Sequence, residues 1–339
     1  MNPIEAALRR VDRFQQRHRV VGLPFAVVKK FGDDKGGNLI TLLAWNSFFA
    51  LLPLLLVLVT LLGYLLRRNP AMRQQVLHSA FAEFPIIGTQ LQSNVHSLHT
   101  NGLGLVVGIA GSVWGARGVT QAGQHAMAEI WNIPGKERPS FWTRQVRGLA
   151  LLLVFALGLV ATTLLTGFGS LGNRSAIFRP ANLAAAAGLN VGLFLLGFRV
   201  LTPRQIPLRR LVAGAVVAGI GWQGLLAAGG YLVGHNLKHA TEVYGFFATV
   251  LGLLSWLYLG SELTLYAAEV DVVLTRRLWP RSILQPPLTG PDQRALVDLA
   301  KQEERRPEQS IEVSFHEQDD RAQSERSRNP GRERRGPGN

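Results

Sequence analysis

Six long apolar stretches, separated by polar connections in which Lys and Arg crowd every second one, dominate the pattern of this chain. A hydrocarbon core of roughly 30 Å needs about 20 helical residues to cross it, and backbone groups in lipid must find their partners within the helix. The pattern predicts spans at about residues 39–66, 102–119, 148–167, 181–198, 211–233 and 243–274. The first contains no charged side chain, whereas a helix of a soluble core carries charges on its exposed face. The predicted fold is therefore all-α, a polytopic bundle of six transmembrane helices over residues 39–284. A cytoplasmic or interfacial segment, 1–38, precedes it. Beyond residue 284 the composition shifts abruptly to Gln, Glu, Arg, Pro and Gly, which bury too little apolar surface to offset the entropy of ordering, so 285–339 is expected to be a disordered cytoplasmic tail.

Charge gives the bundle a direction. Fourteen basic residues lie near the span ends on one side, from Lys29, Lys30 and Lys35 through Arg144, Arg147, Arg199 and Arg210 to Arg276, Arg277 and Arg281, and six on the other, among them Arg67, Arg68, Arg174 and Lys238. Basic residues near helix ends are retained in the cytoplasm, and an even number of crossings puts both termini there. No secretory leader is visible, since Arg9, Arg10, Arg13, Arg17 and Arg19 interrupt the first residues, and the first span is expected to do the targeting. Ile4, Leu8, Val11 and Phe14 recur at helical spacing among those arginines, which suits either a helix on an anionic membrane surface or an ordinary solvated amphipathic helix.

The formal net charge is +14, yet the tail holds 10 basic and 11 acidic residues, a net of −1. The positive excess thus belongs to the membrane-proximal residues, and anionic headgroups explain it better than nucleic acid. The expected partners are membrane lipids and, through the tail, a cytoplasmic protein. The absence of cysteine excludes disulfides, thiolate nucleophiles and Cys-ligated metals.

Ionisable groups inside a span are costly and mark either function or a buried structural pair. At 100° per residue Tyr244, Ser255, Tyr258, Glu262, Tyr266 and Glu269 share one narrow arc of the sixth span, a polar stripe expected to face the bundle interior or a water-filled cavity. Two readings stand. Glu262 and Glu269 handle protons, cations or a polar substrate, or they form structural ion pairs with Arg117, whose face continues to Gln121 and Gln124, or with Arg199. Asp271 points away from the stripe and reads as interfacial. Pro53, after Asn46 and Ser47, predicts a kink, and the glycines of the second and fifth spans predict close helix packing. Trp131 with Asn132, and Trp222 with Gln223, read as interface anchors. His78, His96, His99, His235 and His239 lie on the outer side. The last two have metal-site spacing without a third ligand, and neither a metal nor a cofactor is expected. No phosphate loop, nucleophile elbow or paired-carboxylate hydrolase site is present, so no enzyme is indicated.

The run YGFFATVLGLLSWLYLGSELTLYAAEVDVVLTRRLWPR, residues 244–281, resembles the last span of the YihY/BrkB family of bacterial inner-membrane proteins. The family's Tyr-Gly pair falls on Tyr244 and Gly245, its Trp-x-Tyr on Trp256 and Tyr258, and its Gly-Ala-Glu on Ala267, Ala268 and Glu269. NSFFALLP, from Asn46 to Pro53, is similar to its first span, and SVWGARGV, from Ser112 to Val119, to its second. The resemblance covers about residues 25 to 282 and implies six spans, cytoplasmic termini and the inner membrane. Glu262 departs from the family pattern, which makes Glu269 the stronger site candidate. Relatives have been labelled both ribonuclease BN and a virulence-associated factor, but the His/Asp cluster of metal-dependent tRNA processing is absent here. The leading expectation is a transporter or lipid- or envelope-component-handling protein whose polar path uses Glu269 and Glu262 with Arg117. The alternative is a non-transporting envelope scaffold, and a membrane-tethered ribonuclease ranks last.

Overall fold

The computed structural model describes residues 3–65, 102–138, 140–172, 178–203, 205–232 and 238–315. Among these residues there are nine α-helices and no strand: α1 (Pro3–Arg17), α2 (Arg19–Asp33), α3 (Gly36–Leu65), α4 (Gly102–Ile130), α5 (Phe141–Gly172), α6 (Phe178–Leu201), α7 (Val212–Leu232), α8 (Lys238–Arg276) and α9 (Gly290–Gln302). Each apolar stretch read from the sequence falls in one helix, α3 to α8, apart from Leu211, which lies just before α7, and residues 66 and 233, which lie outside the described residues. The connections carrying His78, His96, His99 and His235 lie outside them too. Three helices contain windows long and apolar enough to cross a membrane, Ala184–Leu201, Val212–Gly229 and Val250–Arg276. At 39 residues α8 is about 58 Å long, so it overruns a bilayer core and carries its last turns into a polar assembly at one end.

From α3 to α8 each helix packs on the next, and α8 returns to α3, closing a ring; α8 also touches α2 and α4. Small residues permit the close approaches. A Cβ on Gly115 of α4 would lie 2.5 Å from Ala50 Cα of α3, and one on Gly214 of α7 would lie 2.3 Å from the Ala267 carbonyl oxygen of α8, so the glycine-dense helices pack as their composition implies. Pro53 is accommodated within α3 and faces Gly111. Phe194, Trp222 and Trp256 form an edge-to-face series joining α6, α7 and α8. Half-buried Trp222 thus packs between α6 and α8, while Trp131, read from the sequence as an interface anchor, is 1% exposed and lies in the core. Hydropathy cannot tell an aromatic ring at a helix contact from one at a headgroup boundary.

A hydrophobic core gathers Ala26, Ile130, Phe198, Leu211, Val272 and Ala295 where α2 and α9 meet the ends of the long helices. Farther along, the helices turn apolar side chains outward: Trp114, Leu153, Phe155 and Ile220 are all at least 60% exposed, a surface suited to acyl chains.

The tail departs from expectation. Residues 285–315 are ordered enough to form α9 and an irregular strand of chain after it, while 316–339 lie outside the described residues. Helix α9 begins in a capping box, in which Thr289 accepts from the Asp292 amide and Asp292 accepts from the Thr289 amide. Composition misled because order here rests on capping and charge pairing more than on apolar area. Arg276 bonds Asp298 at 2.5 Å, Lys136 bonds Glu304 at 2.6 Å, and Asp292 is completely buried.

Candidate functional site

The stripe on α8 is real as geometry, but its burial is graded. Ser255 is exposed, Tyr258 is 40% exposed, Glu262 and Tyr266 are half-buried, and Glu269 is fully buried. Tyr244 lies on the same helix, its side chain outside the described residues. The opposite face of α8 is taken up by α7, through Trp256 against Trp222, Leu263 against Gly221, and Ala267 against Gly214. The stripe thus looks away from α7, beside exposed Phe247, Leu251 and Leu259. Only its last two turns are roofed, by α2. The Phe31 ring stacks on Tyr266 at 4.2 Å, and Lys30 reaches Glu269.

Helix α2 lays Gly22, Ala26, Val27 and Lys30 on its buried face, positions at helical spacing that carry Lys30 inward with the small residues. The Lys30 ammonium is paired with Asp34 one turn on, donates to the Ile130 carbonyl at 3.1 Å, and stands 4.0 Å from a Glu269 carboxylate oxygen. Both Lys30 and Glu269 are 0% exposed. Asn132, in the left-handed conformation (φ 46°) that ends α4, donates to Asp34 at 3.3 Å and to the Gln302 side-chain oxygen at 2.7 Å. Gln302 in turn donates to Glu129, which Arg138 holds at 2.8 Å. A polar chain thus runs from α9 through Asn132 and Asp34 to Lys30 and Glu269.

Burial pushes the Asp34 carboxyl above its ordinary range, against the opposing pull of Lys30. The cluster has two carboxyls to one ammonium, and the carboxyls of Asp34 and Glu269 lie side by side. A sealed pocket of this composition is electrically neutral only when one carboxyl carries a proton. The arrangement can therefore hold one exchangeable proton where α2 and α8 meet.

Arg117 is half-buried on α4, thirteen residues, or about 20 Å of helical rise, from the Ile130 carbonyl that Lys30 binds. Arg199 donates to the Ile206 carbonyl at 3.0 Å. The cation that the fold brings to Glu269 is Lys30. In the sequence Lys30 counts only as one of the membrane-proximal charges; its place on the same helical face as Gly22 and Ala26 is the one signal that could have turned it inward. Asp271 is likewise not interfacial: it is 1% exposed and accepts the Gly214 amide at 2.6 Å in the first turn of α7, where a carboxylate meets unpaired helix N–H groups.

A second cluster fastens the tail. Asp292 accepts from Arg281 at 2.6 Å, Lys29 at 3.0 Å and the Ser282 amide at 3.0 Å, while Arg281 also binds Asp33 at 2.7 Å. Burial alone would raise the Asp292 carboxyl, but hydrogen bonds from Thr289, Ser282, Arg281 and Lys29 outweigh it and hold it down at about 2.

Comparison with known proteins places these features in context. A family model described as virulence factor BrkB matches residues 27–287, a range that includes Lys30, Asp34 and Glu269. The chain is 22% identical over 275 residues to the inner membrane protein YhjD of Escherichia coli K12, covering 75% of this chain and 81% of that protein. It is 25% identical over 283 residues to a UPF0761 membrane protein of Pseudomonas paraeruginosa, covering 79% and 67%. No solved structure matches.

Proposed function

The chain belongs to the BrkB virulence-factor family of membrane proteins, and on that premise we propose that it is a six-crossing inner-membrane protein that moves lipids or other amphipathic envelope components along the polar face of α8. Both termini lie in the cytoplasm in this reading, supported by the basic excess on the side of residues 29–35 and 276–281. The inner membrane is supported by the name of the E. coli relative.

The observation that carries the proposal is the open flank of the stripe: Ser255 and Tyr258 are exposed beside exposed Phe247, Leu251 and Leu259. A small-solute path is enclosed by protein, because its cargo has no use for lipid. A laterally open polar track lets a headgroup follow hydroxyl and carboxyl groups while its chains remain in the acyl layer, which lowers the desolvation cost of crossing. Glu262 and Tyr266 continue the track inward, and the Lys30–Glu269 cluster closes it under α2. The proposed role is not catalytic.

The test is trans-bilayer exchange of a headgroup-labelled phospholipid in vesicles containing the purified protein. The proposal expects exchange well above protein-free vesicles, falling about tenfold when Tyr258 and Glu262 are both replaced by Leu, in line with the loss of one or two polar contacts. Exchange no faster than in empty vesicles contradicts it.

A second reading, a non-transporting scaffold, draws on the complete burial of Glu269 against Lys30. In that case the wild-type protein exchanges lipid no faster than empty vesicles, and Glu269→Gln lowers abundance. The transport reading instead expects Glu269→Gln to accumulate normally and to exchange lipid slowly.

A further inference from the structure

Helix α1 is docked through polar groups at one edge of its apolar face. Its inward residues are polar: Asp12 is 9% exposed and accepts the Ile283 amide at 3.0 Å, and Gln15 is 2% exposed and donates to the Arg281 carbonyl at 2.6 Å. Its apolar residues face out, with Val11 and Phe14 each 55% exposed and Leu8 40%. The start of α2 continues this surface with Val20 at 86% and Val21 at 47%. A solvated amphipathic helix packs the whole of its apolar face on the body, whereas α1 is seated by the edge that carries Asp12 and Gln15 and leaves Val11 and Phe14 outside. Two specific hydrogen bonds hold α1 in this orientation, so the exposed apolar strip is part of the fold.

We propose that this face is a docking surface for anionic phospholipid, in the leaflet that borders this end of the bundle. The charge around it selects the occupant. Arg9, Arg10, Arg13, Arg17 and Arg19 are all exposed, and of the two acids on α1, Asp12 is buried, leaving Glu5, which is bound to Arg9 at 2.8 Å. An apolar strip with a surplus of arginine on its flanks fits the boundary between acyl chains and anionic headgroups. A second copy of the chain would have to bring these like-charged flanks together. Because Asp12 and Gln15 hold the backbone at residues 281–283, and Arg281 holds Asp33 and Asp292, α1 seated on lipid also anchors the base of the tail. The inference does not depend on lipid transport along α8.

The cysteine-free chain permits a direct test with spin labels on single cysteines at Val11, Phe14 and, as the polar-side control, Arg13, in the full-length protein reconstituted in vesicles. In bilayers containing phosphatidylglycerol, labels at Val11 and Phe14 are expected to be accessible to oxygen and shielded from a water-soluble nickel relaxant, with the Arg13 label showing the opposite. In purely zwitterionic phosphatidylcholine the contrast is expected to shrink at least severalfold. Labels at Val11 and Phe14 that stay water-accessible in both lipids overturn the proposal. Dipolar coupling between labels of neighbouring molecules, which would mean that a second copy covers the face, overturns it as well.

Discussion

The ammonium of Lys30 lies 4.0 Å from the carboxylate of Glu269, and both side chains are completely buried. Lys30 comes from the segment preceding the first long helix and Glu269 from the last long helix, so this contact ties the two ends of the bundle together. Asp34 completes the cluster, and Lys30 is its one cation.

Removing that cation should be far worse than removing one acid. Lys30→Ala leaves two carboxyls facing each other in a dry pocket, whereas Glu269→Gln leaves the Lys30–Asp34 pair intact. Breaking a buried pair costs about 3–5 kcal/mol. Thermal unfolding in detergent, followed by size-exclusion profile, is expected to show a large drop in Tm for Lys30→Ala and a much smaller one for Glu269→Gln.

Asn132 links this cluster to the tail through Asp34 and Gln302. Asn132→Ala removes both bonds and the residue type that best tolerates the left-handed backbone there, at a cost of about 1–3 kcal/mol. Hydrogen exchange of the α9 amides is expected to speed up in this variant while the middle of α8 stays protected. Unchanged α9 exchange would show that the link does not hold the tail.

Tail docking should fail in acid. The Asp292 carboxyl sits at about 2 in the folded chain against 3.8 for the free group. Its folded value is depressed, so its stabilising contribution is complete above about pH 4 and is lost as pH falls toward 2. Hydrogen exchange across residues 281–302 is expected to accelerate through that window. Asp292→Asn should exchange fast already at neutral pH and lose the acid dependence. Asp34 works in the opposite sense, because burial raises its folded value, and its protonation favours the folded state as pH falls.

Much of this architecture was legible in the chain. Six long, largely apolar runs specify long helices whatever their neighbours, and the stripe on α8 follows from a 100° step per residue. The partner of Glu269 was not legible. Hydropathy weighs Lys30 like Lys29, and only the three-dimensional fold shows that the small residues at Gly22 and Ala26 let α2 settle on α8 and carry Lys30 with it. Helix α9 was missed because a capping box and ion pairs stabilise it, and such contributions do not register in composition. The resemblance to relatives made Glu269 prominent but said nothing of Asp34 or Asn132, whose importance lies in contacts between segments about 100 to 240 residues apart.

The contact between α7 and α8 offers a test independent of charge. A methyl group on Gly214 would meet the Ala267 carbonyl at 2.3 Å and the Asp271 carboxylate at 2.4 Å. Gly214→Ala is expected to cost about 1–3 kcal/mol through overpacking, visible as a lower Tm, whereas alanine at Gly224, which has nothing within 4 Å, should leave the Tm unchanged or slightly raised.

The central claim is that the outer part of the α8 stripe is a hydrated track and not an acyl-facing surface. Single cysteines at Ser255, Tyr258 and Glu262, placed in the cysteine-free chain and treated in native membranes with a water-soluble thiol reagent, test it most directly. The account predicts that all three are modified readily, while cysteines at Phe155, on an exposed apolar surface, and at Ala268, in the core, are modified slowly. Labelling at Ser255 and Tyr258 no faster than at Phe155 would place the stripe in lipid and contradict the account.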